Sequence, residues 1–60
     1  MDTNLYQRSY CLLLAIFGNK EAAEQWWVTP NKYFKDMLPV EVFEINPEKV
    51  YNYLLKVDEI

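Results

Sequence analysis

The sequence contains no histidine, one cysteine and one glycine in 60 residues. Each scarcity closes a route. With Cys11 as the only thiol and no imidazole, the chain lacks the nitrogen and sulfur donors that hold structural zinc. A lone cysteine also cannot close an intrachain disulfide. A chain this short buries only about 60% of the surface its unfolded form exposes, so it normally depends on a staple, a partner or dense apolar packing. With disulfide and metal excluded, packing or association with another chain remains. The composition agrees, at 52% hydrophobic and 17% aromatic, far from the aromatic-poor make-up of disordered chains.

Positive charge is also thin. Arg8, Lys20, Lys32, Lys35, Lys49 and Lys56 are scattered with no two adjacent, and the net charge is −3. Binding nucleic acid requires clustered cations to neutralise phosphates, so no direct nucleic-acid contact is expected. The longest apolar run, YCLLLAIF at 10–17, falls well short of the roughly 20 residues that cross a bilayer. It lacks the basic start and small-residue cleavage site of a secretion signal. These features predict a soluble, cytoplasmic protein with a reduced thiol and no membrane partner.

Nor does the chain offer chemistry. Catalysis needs a positioned acid–base or nucleophile pair. There is no His; Cys11 lies in the apolar run, where a thiol is expected to be buried and inert; Glu21 and Glu24 read as an ordinary solvated pair; and no glycine-rich phosphate loop exists. No catalytic residue, metal or cofactor is predicted, and the chain is not read as an enzyme.

What is present is helical. Leu5, Leu12, Leu13 and Ile16, with Tyr6, Tyr10, Leu14 and Phe17, follow helical spacing from Asp2 or Thr3, either of which can cap the first turn. Gly18 is placed to end that helix in a left-handed cap. A second helix starts after Asn19 and carries Ala22, Ala23, Trp26 and Trp27. Thr29-Pro30, Leu38-Pro39 and Asn46-Pro47 read as three further starts, because proline is tolerated in the first turn, where its missing N–H has no partner to lose. PVEVFEI also alternates like a strand, but a lone strand has nothing to pair with. The sequence therefore predicts an all-α fold: one domain over 1–60, a small compact bundle of four to five short helices, with Leu13, Phe17, Trp26, Phe34, Phe43, Val50 and Leu54 in one core. From Tyr10 onward the first helix is apolar all round. Either it is central and wrapped by the others, or one flank, marked by Tyr10 and Leu14, is a self-association surface and the chain a homodimer.

From Phe17 onward the sequence resembles the C-terminal toxin-binding domain of the Xre/MbcA/ParS-type antitoxins. The resemblance rests on Phe17-Gly18, Ala23, Trp26, Pro30-Asn31, Phe34, Pro39, Glu41 and Phe43, then Val50 and Leu54, with no gap from Phe17 to Phe43. Trp27 stands where that family usually has a core leucine, and Lys35-Asp36 where it tends to have a glycine pair. A glycine and tail that usually follow the last helix are missing. Members also carry a DNA-binding helix-turn-helix half, and this chain has one helix in its place. The resemblance implies a module that binds and blocks an enzyme, in that family typically a RES-domain toxin that consumes NAD. It also implies that the last helix and tail approach the toxin's active site.

The expected partner-binding residues follow from both lines. Adjacent helical residues point about 100° apart, so Trp26 and Trp27 cannot both face the core centre. Trp26 is assigned to the core and Trp27 to a partner. Tyr51 and Tyr53 fall on different sides of the last helix and add aromatic contacts. Lys56, Asp58, Glu59 and Ile60 complete the set as the tail the resemblance points to. Three functions compete: an antitoxin-like inhibitor of a toxin-like enzyme, a phage- or mobile-element-encoded inhibitor or adaptor acting on a host or defence protein, and a structural self-associating domain.

Overall fold

The computed structural model of the chain describes residues 3–58, with only the backbone of Asp58. It is all-α, with helices α1 (Thr3–Phe17), α2 (Lys20–Trp27), α3 (Pro39–Ile45) and α4 (Pro47–Asp58) and a short 3-10 turn at Lys32–Phe34. No strand forms among the described residues, only an isolated bridge between Asn31 and Met37. PVEVFEI is helix α3.

The punctuation works largely as the residue types dictate. Thr3 is already helical, and Asp2 lies outside the described residues. Gly18 takes φ +80, the left-handed region where a Cβ is penalised. Asn19 caps α2, its side-chain oxygen accepting the Ala22 N–H at 2.8 Å. Pro39 and Pro47 open α3 and α4. At α3 the Glu41 carboxylate accepts the Leu38 N–H at 3.3 Å, half of a capping box.

The third proline is a correction. Thr29 does not cap a helix: its hydroxyl donates back to the Gln25 carbonyl at 2.7 Å, closing the end of α2. Asn31 caps instead, accepting the Tyr33 N–H at 2.8 Å. The loop 31–37 closes on itself, with Asn31 N–H donating to Met37 O at 3.1 Å and Asp36 N–H to Asn31 O at 3.0 Å. This tight reversal holds Lys35 and Asp36 at φ 58 and 64 and drives Phe34 into the interior.

The core consists of Leu13, Ala23, Trp27, Phe34, Val42, Phe43, Val50 and Leu54. Helix α1 packs chiefly on α4 and also on α2, and α3 packs on α4, so α1 and α4 form the main seam of the bundle and α1 keeps one side uncovered. Thr3, Asn4, Gln7, Arg8, Cys11 and Ala15 make its exposed stripe. Cys11 is thus exposed rather than buried, because it falls on the one side of α1 that no helix covers. Two expected core residues are also corrected: Phe17 is 42% exposed and Trp26 is half-buried. Phe17 is the last residue of α1, and it shares a surface depression with Trp26.

Candidate functional site

Two ring clusters meet between the two tryptophans. Tyr6 stacks on Trp27 with centroids 5.2 Å apart, and Phe43 meets Trp27 edge-on at 5.6 Å. Tyr10 continues this group from Tyr6 at 6.3 Å. On the other side Trp26 stacks on Tyr53 at 6.3 Å with planes 13° apart, Tyr53 meets Tyr33 at 4.3 Å, and Phe34 lies beneath them, 5.3 Å from Tyr53. The tryptophan rings themselves meet edge-on at 5.2 Å. Edge-on and offset contacts are the geometries that ring quadrupoles favour.

The tryptophan assignment is therefore reversed. Trp27, expected to reach a partner, is 4% exposed and belongs to the core; Trp26 carries the surface face. The step of about 100° between helical neighbours requires the two to part, but the side on which α1 lies decides which one is covered. Tyr6 of α1 covers Trp27.

The remaining expected partner residues divide. Tyr53 and Lys56 are three apart on α4 and so are neighbours on the helix surface. Tyr53 belongs to the half-open aromatic face, and Lys56 is exposed beside it. Tyr51 is half-buried on another side of α4, where it lines a shallow depression with Asn4, Arg8 and Leu12 of α1. The Asp58 side chain, Glu59 and Ile60 lie outside the described residues. Tyr10 and Leu14, expected at a self-association flank, are half-buried and packed against the core.

The face thus consists of Phe17, Trp26, Tyr33 and Tyr53. Tyr33 is 53% exposed, and Phe17 and Trp26 line an almost wholly apolar depression of about 320 Å³ with Ala22, Gln25 and Thr29. Sequence reasoning missed Phe17, Trp26 and Tyr33 here. The available signal was the Trp pair itself, which announces one covered and one open ring without saying which. No group of three or more Asp, Glu, Cys or His among the described residues could hold a metal ion. None of their helices is long and apolar enough to cross a membrane. What the surface offers is apolar contact with a polar margin.

The chain matches no protein-family model, no curated protein and no solved structure.

Proposed function

We propose that this chain is an antitoxin-like binding module that grips one folded enzyme and inhibits it by occupancy, its own residues making and breaking no bond. The half-open aromatic face carries this reading. Trp and Tyr dominate interface hot spots because they bury large, rigid area while keeping a polar atom at the rim. Here Trp26 and Tyr53 lie half-covered and mutually stacked over a buried Phe34, so little side-chain freedom is lost when a partner covers them.

The partner class, a toxin-like enzyme, comes from the resemblance, and two structural features support it. Where that family has a core leucine, this chain buries Trp27. Where that family tends to have a glycine pair, Lys35 and Asp36 both adopt positive φ, the region glycine enters at least cost. Tyr53 and Lys56 connect the aromatic face to the end of α4 and the tail that the resemblance directs at an active site.

The test is capture from a cell lysate by the wild-type chain and by a Trp26→Ser, Tyr53→Ser variant, followed by assay of whatever enzyme is retained. An enzyme held by the wild type alone, losing activity in proportion to added chain, supports the proposal. Identical capture by both forms, or a captured enzyme that keeps full activity, refutes it. The identity of the captured protein separates a toxin-like enzyme from another host target. Removing residues 58–60 should leave folding nearly intact, since chain ends contribute little to a core, and should weaken inhibition sharply if the tail enters the target's cleft.

A further inference from the structure

Helix α3 presents a second surface, which shares with the aromatic face only the buried ring of Phe34 and the loop 31–37 that carries it. Ile45, its last residue, is 76% exposed, more than Phe17, Val28, Tyr33 or Met37. It stands as a ridge between two depressions. One, of about 400 Å³, is lined by Val40, Glu41, Glu44 and Ile45. The other, of about 330 Å³, has buried Phe34 and Val42 as its floor, Met37 and Ile45 as apolar walls, and Lys35 and Lys49 as its charged rim.

The two sides of Ile45 are opposite in charge. No cation lines the first depression and no carboxylate lines the second. Glu41 is partly occupied in holding the Leu38 N–H. Glu44, Lys35 and Lys49 are exposed and enter none of the side-chain hydrogen bonds found among the described residues. The lysine side is kept in place by the closed loop 31–37, which fixes Lys35 in its left-handed conformation.

A surface with an apolar ridge, an acidic wall and a basic wall is complementary to itself. A two-fold axis brings the same patch from both copies together, so residue i of one meets j of the other and j meets i. We propose that the occupant of this surface is a second copy of this chain. Each Ile45 enters the Phe34–Val42 depression of the other copy, and each Glu44 faces the other copy's Lys49. Oppositely charged walls set the register and disfavour sliding, while the apolar ridge supplies the burial. The dimer is thereby assigned to α3 rather than to Tyr10 and Leu14 of α1, and it leaves Trp26, Tyr33 and Tyr53 free.

Charge exchange tests this directly. Sedimentation equilibrium of the wild type, up to about 1 mM so that millimolar association is visible, should show mass rising from 7.2 kDa towards twice that value. Ile45→Asp should abolish the rise. Glu44→Lys alone and Lys49→Glu alone should each weaken association about tenfold, a shift of about 1.4 kcal/mol. An equimolar mixture of those two variants should restore it to within about threefold of wild type, because both cross-pairs are then attractive again. All three positions are exposed, so an unchanged far-UV circular dichroism spectrum confirms that each variant is folded. A wild type that stays at 7.2 kDa throughout, single variants that associate as the wild type does, or a mixture no better than its components would each overturn the proposal.

Discussion

Trp27 and Trp26 are neighbours in the chain and opposites in the structure. Around Trp27 the rings of Tyr6 and Phe43 close over it, and its own Nε1 is, with Ser9 Oγ of α1, one of two buried side-chain nitrogen and oxygen atoms without a hydrogen-bond partner among the described residues. Around Trp26 the rings of Tyr33 and Tyr53 stay half-open, and the strain is in the backbone, in the two positive-φ residues of the loop that carries Tyr33 and Phe34. The closed half carries a desolvation cost for well-packed area. The open half carries a conformational cost for a rigid, partly uncovered face. Natural chains hold strained backbone mainly where the surroundings over-determine it or function demands it. That difference is a physical reason to look for binding on the Trp26 side.

Replacing each tryptophan in turn should break the comparison most visibly. Trp27→Ala should cost about 3–5 kcal/mol, the range for emptying a large aromatic site, enough to unfold a domain this small. Trp26→Ala should cost less, about 2–3 kcal/mol, because part of its ring is already in water. Urea titration followed by circular dichroism reads both; equal losses would erase the distinction between the halves. The same contrast is visible without loss of fold. In Trp26→Phe the remaining Trp27 should emit at shorter wavelength and resist acrylamide, and in Trp27→Phe the remaining Trp26 should emit redder and be quenched readily.

Smaller changes sharpen each half separately. Lys35→Gly should stabilise the chain by about 1 kcal/mol, the relief of a left-handed non-glycine residue less the extra freedom of the unfolded chain. A loss in thermal stability would mean that the loop does not need that conformation. Ser9→Ala should raise stability by about 0.5 kcal/mol, since it removes a buried hydroxyl with no partner and installs a better helix former. If the alanine variant melts lower, Ser9 has a partner in solution and the interior beside α1 is better satisfied than its geometry indicates.

Several residues show how far the sequence reached. Gly18, Asn19, Pro39 and Pro47 set helix ends through local chemistry: a permitted positive φ, a side-chain acceptor and a ring without an N–H. Such rules act within a turn of chain, so they could be read directly. Leu13, Phe34, Phe43, Val50 and Leu54 were legible as core because large apolar residues at helical spacing have few other places to go. Pro30 was misread because Thr29 had two possible hydrogen bonds, forward as a cap or back to Gln25, and the closed loop 31–37 favours the second. Cys11 was misread because an all-round apolar helix does not say which side its neighbours leave open.

By itself, then, the sequence determined the all-α class, most helix boundaries, most of the core and the fact that one of two adjacent tryptophans must lie nearer the surface. Only tertiary packing decided that it is Trp26, that Cys11 faces outward, and that Ile45 stands between walls of opposite charge. Helix ends and periodicity follow from contacts a few residues apart. The exposure of a given face depends on which distant helix covers it: Tyr6 comes to lie over Trp27, twenty-one positions along the chain, only because the whole bundle closes there.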